Sequence, residues 1–367
     1  MPRGRPPPTS RSANPIRILR RRLLAWFARE KRELPWRGTR DPYRVWISEV
    51  MLQQTTVAAV ARRYERFLRQ FPDVASLARA SQDQVLAAWS GLGYYGRARN
   101  LLLTARILER AHGGQLPRDQ AALEKLPGFG PYTAAAVAAI AWEAAAPAAD
   151  ANVTRVLSRL DALPGLAGSR AHRQAVLSRM EELLPREAPG DFTAALMDLG
   201  QLVCTPREPA CPRCPLAPSC AARREGRPER YPRRQARARP VRVCVAAADA
   251  RRGSRALLIR REGPLLAGMW AFPAAEGSTP GQARRRLAAM MAALGLRLSR
   301  AAPSGNATHT VVNRRLWIDV YPAILNPKSK IQNPKSVGRW FRPEDLERAA
   351  IPTLTRKIAR ATGFLRR

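Results

Sequence analysis

The chain has 367 residues, enough for two domains of ordinary size, and 46% of them are apolar, enough for a substantial core. Sixty-four Lys and Arg against 28 Asp and Glu give a formal charge of +36, a balance that permits a polyanionic partner such as nucleic acid, although an Arg- and Ala-rich composition also follows from a GC-rich coding bias. No apolar run reaches the roughly 18 residues of a membrane span, so no membrane-spanning segment is expected.

The segment 1–14 is rich in Pro, Arg and Ser without an apolar stretch, and reads as a disordered basic tail rather than a secretory signal. A cytoplasmic chain with reduced or metal-bound cysteines is therefore expected. Residues 15–222 read as a helical domain. Ile47, Val50, Met51, Val57, Val60, Tyr64, Phe67 and Phe71 recur at helical spacing, and further helical patterns fall near 17–30, 82–90, 97–112, 131–144, 152–161, 170–184 and 191–203. An Arg- and Pro-rich linker follows at 223–240. From 241 to 367 the texture becomes α/β: short β-like runs at 241–247, 256–259 and 316–321, the last with Leu316, Ile318 and Val320 on one face, and helical patterns near 280–294 and 353–365. The near-repeat of 324–330 in 331–337 reads as a surface-loop insertion.

Cys204, Cys211, Cys214 and Cys220 lie in one run with spacers of six, two and five residues and no nearby His. Structural zinc more often uses two separated Cys-x-x-Cys pairs or His ligands, so four thiolates wrapping a [4Fe–4S] cluster are the preferred reading, with zinc the alternative. Cys244, outside the run, reads as a buried small apolar residue. Upstream, Leu126-Pro127-Gly128-Phe129-Gly130 precedes Pro131-Tyr132 and an Ala-rich helix. The Gly128 and Gly130 turn leaves backbone N–H groups at a helix start, where a DNA phosphate fits without a side-chain charge.

The cysteine spacing and this hairpin together resemble the endonuclease III superfamily of helix-hairpin-helix DNA glycosylases. The resemblance implies duplex DNA as partner, a mainly structural cluster loop at 204–220, and exposure of Arg207 and Arg213 to DNA. Superfamily members that also cut the strand carry a Lys after the Gly-Pro as a Schiff-base nucleophile. Here that position is Tyr132, which cannot form an imine, so a monofunctional, water-using glycosylase is implied. Tyr132 then either bonds a carboxylate or the sugar, or is an aromatic packed at the helix start.

Two carboxylates carry the expected chemistry. Asp150, in Asp150-Ala151-Asn152-Val153, reads either as a helix N-cap or, aligned with the superfamily's Asp, as the group that stabilises positive charge developing on C1′. Glu49, in Trp46-Ile47-Ser48-Glu49-Val50-Met51-Leu52-Gln53-Gln54-Thr55, is flanked by apolar residues, and burial would raise its pKa and keep a proton available near neutral pH. The stretch 26–55, with Arg32-Glu33-Leu34-Pro35-Trp36-Arg37, resembles adenine glycosylases more closely than endonuclease III. Carried over, Glu49 is the general acid; Arg32, Trp36, Arg37 and Leu52 surround the flipped adenine; Gln54 and Thr55 contact the opposite damaged guanine; Asn152 is a further substrate-binding residue. Trp89-Ser90-Gly91-Leu92-Gly93-Tyr94-Tyr95 is a second match, in which Tyr94 is a wedge beside that guanine, core packing being the alternative for both tyrosines. Ala194 stands where family members often carry Gln or Glu.

The run 263–273 resembles the signature of the family's Nudix-like C-terminal domain, which reads 8-oxoguanine. The pyrophosphatase carboxylates are missing around 281–296, so this domain is expected to bind and not to hydrolyse. His309 and Thr310 begin its lesion loop, but Val312 replaces the usual Ser and Asn313 the usual His. The expectation is a monomeric, nucleoid-associated adenine glycosylase acting opposite 8-oxoguanine or guanine. Its rivals are an endonuclease III-like glycosylase/lyase and a non-catalytic iron–sulfur DNA-binding protein.

Overall fold

The computed structural model describes residues 15–235, 239–262, 266–325 and 338–366. The basic tail at 1–14, the first three residues of the 263–273 signature and most of the repeated segment lie outside them.

Twelve helices open the described chain: α1 Pro15–Glu30, α2 Pro42–Leu52, α3 Val57–Gln70, α4 Val74–Arg79, α5 Gln82–Ala88, α6 Gly96–His112, α7 Gln120–Glu124, α8 Pro131–Trp142, α9 Ala151–Leu160, α10 Arg170–Leu183, α11 Pro189–Leu202 and α12 Ala221–Arg224. The helical periodicity across 47–71 is cut in two. Gln54 adopts a left-handed φ of +53° and Thr56 caps α3, its side chain accepting from the Ala59 N–H; a cap residue in extended conformation starts a new helix even where the apolar spacing runs on. The short helices α4 and α7 carry no long periodic pattern, and their Asp caps, Asp73 and Asp119, are the local signals that mark them.

Packing divides the chain into two compact units. One contains the described residues up to Glu49 and from Leu116 to Gln235; the other contains Val50–Gln115 and the described residues from Arg239 onward. In the first, Leu19, Leu23, Trp26 and Phe27 of α1 pack with Val153, Val156 and Leu157 of α9 and with Phe192, Leu196 and Leu199 of α11. Half of α8 is buried alanine, whose small side chains let Ala135, Ala136, Ala138 and Ala139 pack closely with Ala146 and Ala148.

The second unit holds a mixed sheet: β1 Val241–Arg252, β2 Arg255–Arg260, β3 Trp270–Ala271, β4 Ala274–Gly277, β5 Leu296–Leu298, β6 Gly305–Val311, β7 Arg314–Leu325 and β8 Gly338–Phe341. Strands β1 and β7 run parallel, in register from Val241↔Arg314 to Ala250↔Ala323, and the other pairings are antiparallel. Strand alternation sorts the core onto two faces. Val243, Val245 and Ala247 join Leu316, Ile318 and Val320 with Ile358 of helix α15 (Thr353–Ala361). Cys244, Ala246 and Ala248 join Leu287 and Met291 of helix α13 (Pro280–Ala293). A shorter helix, α14 (Asp345–Arg348), precedes α15. Cys244 is thus a buried core residue.

Candidate active site

Glu49 sits on α2, 6% exposed, and its Oε2 accepts the Tyr132 hydroxyl at 2.9 Å. Tyr132 occupies the first turn of α8, directly after the hairpin: Gly128 has φ of +84°, Gly130 is the extended N-cap, and Pro131 fills the first helical position. Between the glycines Phe129 is buried, stacked at 5.7 Å on Trp46 of α2. The hairpin is thereby fixed to the helix that carries Glu49.

Asp150 takes the helix N-cap position that its sequence context offered. It caps α9, Oδ1 accepting from the N–H groups of Asn152 at 2.8 Å and Val153 at 2.7 Å, while Oδ2 accepts from Asn152 Nδ2 at 2.7 Å. It also lies close enough to Glu49 for its charge to act on that carboxyl. Burial pushes the Glu49 carboxyl up to about 7; the Tyr132 bond opposes this, Asp150 adds to it and Arg37 opposes it. Burial raises Asp150 as well, but the Val153 and Asn152 donors and then Arg155 hold it back. Burial beside these two carboxylates pushes the Tyr132 phenol well above its usual value, so it remains a donor. Two carboxyls with unequal surroundings are an acid–base pair in the making.

Three buried or half-buried polar residues were not singled out by the sequence. Asp198 of α11 is fully buried and ion-paired to Arg32 at 2.6 Å and Arg37 at 2.7 Å. An acid inside the apolar run Leu196-Met197-Asp198-Leu199 is the signal that could have found it, since a buried carboxylate needs a partner. Arg155 bridges Asn152 Oδ1 at 2.9 Å, the Gly200 carbonyl at 2.6 Å and the Cys204 carbonyl at 2.7 Å. Trp36 is buried at 9% exposure.

The third missed residue, Arg97, organises residues expected at the opposite base. It donates to the carbonyls of Val50, Met51, Leu92 and Gly93 and to Thr55 Oγ1 at 2.9 Å, and its guanidinium lies over the rings of Trp89 and Tyr94. Burial pulls it down to about 10. The tyrosine pair splits: Tyr95 is buried at 4%, whereas Tyr94 is 49% exposed with a left-handed φ of +46°. Gln54 is exposed, and Leu52 is half-buried on the last turn of α2. His309 and Thr310 lie on β6, and the hairpin to β7 turns through Val312 and Asn313, with Val312 at φ +55° and 72% exposed.

The four cysteines line one small cavity with Arg159, Val203 and Arg223. Arg159, 2% exposed, donates to Cys204 Sγ at 3.4 Å and to the carbonyls of Thr205, Pro206 and Tyr231. Burial pushes the Cys214 thiol up to about 12. Among the described residues no three His, Cys, Asp or Glu side chains gather as the ligands of a single metal ion. Thiols about one cavity, with arginines beside them to offset anionic charge, could hold a metal or an iron–sulfur cluster.

Residues 47–185 match the family model described as HhH-GPD superfamily base excision DNA repair protein, and residues 245–361 match the NUDIX domain. The adenine DNA glycosylase of Homo sapiens is 32% identical over 408 residues, covering 94% of this chain and 74% of the relative. The adenine DNA glycosylase of Arabidopsis thaliana is 34% identical over 71% of this chain and 48% of its own length. Among solved structures, a thermostable thymine-DNA glycosylase aligns with 57% of this chain and 97% of its own at a TM-score of 0.52 and 29% identity. A trapped endonuclease III–DNA covalent intermediate aligns with 57% of this chain and 96% of its own at 0.50 and 25%.

Proposed function

The chain belongs to the adenine DNA glycosylases of base excision repair, and from that premise we propose that it removes adenine paired with 8-oxoguanine or guanine in duplex DNA, by acid-catalysed hydrolysis and without strand cleavage. The observation that carries the reading is the Glu49 carboxyl, buried, bonded by Tyr132 and raised to about 7 beside the hydrogen-bonded Asp150 carboxylate.

An adenine in a duplex is out of reach of these groups and must leave the stack. Glu49 then gives its proton to N7 of the base. The C1′–N9 bond breaks with its electron pair going to N9, so adenine departs neutral. The positive charge left on C1′ is met by the fixed Asp150 carboxylate. Water adds to C1′ and its proton returns to Glu49. Tyr132 steers the Glu49 carboxyl and offers no amine for an imine, which disfavours a lyase.

Cys204, Cys211, Cys214 and Cys220 would hold the [4Fe–4S] cluster, which when bound cross-links the loop they share. Gly128 and Gly130 would seat a phosphate, Tyr94 would enter the stack, and Gln54 and Thr55, with His309, Thr310 and Asn313, would read the opposite base. We place the molecule on the chromosomal DNA as a monomer.

The test is a gel assay with adenine opposite 8-oxoguanine. Glu49→Gln is expected to lose base release by a factor of about 10² or more, the scale of general acid catalysis, while duplex affinity stays within about twofold. Undiminished release by the variant would sink the assignment. Borohydride trapping should give no adduct; a good yield would favour the lyase instead.

A further inference from the structure

The two arginines between α1 and α2 are gripped by one carboxylate. Asp198 Oδ1 accepts from Arg32 Nη2 at 2.6 Å, Arg32 Nε at 3.2 Å and Arg37 Nη2 at 2.7 Å, and Oδ2 receives the Arg32 backbone N–H at 3.5 Å. Arg32 has a second partner in Gln201, whose Oε1 accepts from Nη1 at 2.9 Å. Arg37 is held less completely: its Nε is buried without a partner, and its guanidinium lies 5.4 Å from the centre of the Phe27 ring. Asp198 is the carboxylate paired with Arg37.

We propose that Asp198 is a positioning residue for base release: its carboxylate fixes the Arg37 guanidinium and cancels its charge beside the Glu49 acid. The proposal rests on the reading of Glu49 as the proton donor. The charged and titratable groups around Glu49 are Tyr132 from α8, Asp150 at the cap of α9 and Arg37 from the loop after α1. Around Arg37 and Asp198 the further charge is Arg32. Of the groups acting on Glu49, Arg37 is the cation, and a cation near a carboxyl favours the ionised form. Asp198 counters that pull by pairing with the guanidinium. Without it, an uncompensated Arg37 would draw the proton off Glu49 at a lower pH and leave the acid spent under neutral conditions.

The direction of the effect is fixed by charge, which separates it from a packing role. Single-turnover adenine release opposite 8-oxoguanine is measured from about pH 5 to 9 with the full chain. Asp198→Asn should move the alkaline fall in rate down by about one pH unit, hence about tenfold slower release at pH 8 and little change at pH 5. Arg37→Gln, with Asp198 still paired to Arg32, should move the fall upward. The double variant should return it close to the wild-type position, whatever its absolute rate. If Asp198→Asn does not fold, the sign of the Arg37→Gln shift decides alone. A loss by one constant factor at every pH, or an Arg37→Gln shift downward, overturns the proposal. A wild-type chain that releases no adenine overturns the reading of Glu49 and this proposal with it. A wild-type fall that both substitutions leave in place overturns this proposal only.

Discussion

At Glu49 the fold keeps a carboxyl whose proton is retained up to about pH 7, against an ordinary value of 4.5, because burial disfavours the charged form. Between those two values the folded chain holds a proton that the unfolded chain releases. The stability contributed by this proton is therefore complete below pH 4.5 and is lost as pH rises to about 7; above that, folding carries a cost on the order of 3 kcal/mol. Glu49→Gln removes the titration and keeps an oxygen for Tyr132. The variant should then gain stability over the wild type by about 2–3 kcal/mol between pH 5 and pH 8, read from urea midpoints at the two pH values. A gap that does not widen with pH would mean that the carboxyl is already ionised in the folded chain. The apolar flanks of Glu49 make this burial legible in the sequence. The Tyr132 bond and the two arginines on Asp198 are less so, since they join residues 83, 166 and 161 positions apart.

The elements place these residues by close packing of α9 and α11. At Gly200 the helices leave no room for a side chain: a Cβ there would stand 2.7 Å from Asn152 Cβ and 3.1 Å from its Cα, at the turn capped by Asp150. Alanine favours a helix over glycine by up to about 1 kcal/mol, yet overpacking against backbone costs about 1–3 kcal/mol. Gly200→Ala should thus destabilise the chain by a net amount of roughly 1 kcal/mol and, by moving the Asp150 cap, slow base release at least tenfold. Thermal unfolding and single-turnover rates check the two halves. A variant more stable than wild type would show that α9 can shift freely. Helix existence here was readable from periodicity, and the Asp150 cap from its Asp-x-Asn start. The break between α2 and α3 was not, because the apolar spacing continues across it while Gln54 turns left-handed.

For the whole molecule, the change of texture near residue 240 marks the Nudix-like region, but the packing of Val50–Gln115 with it leaves no local trace. It rests on bonds such as Arg99 to the Ala267 carbonyl, 168 positions away, and Ser90 to the Ile351 carbonyl, 261 away. The net charge of +36 is equally ambiguous until the arginines are sorted by what they touch. Arg20, Arg32, Arg97, Arg155 and Arg159 direct donors to protein carbonyls and carboxylates, so those donors serve the fold. Arg207 and Arg213, in the cysteine loop, are exposed. Binding that neutralises roughly six phosphates should give a slope of log affinity against log salt near −5. Replacing both loop arginines by Gln should make that slope shallower by about two, one for each phosphate no longer neutralised, and weaken binding to all duplex sequences alike. Fluorescence anisotropy between 50 and 200 mM salt, in the range over which such slopes are resolved, reads both quantities. A slope unchanged by the double substitution would assign the loop arginines to compositional bias and move the DNA-facing charge elsewhere on the chain.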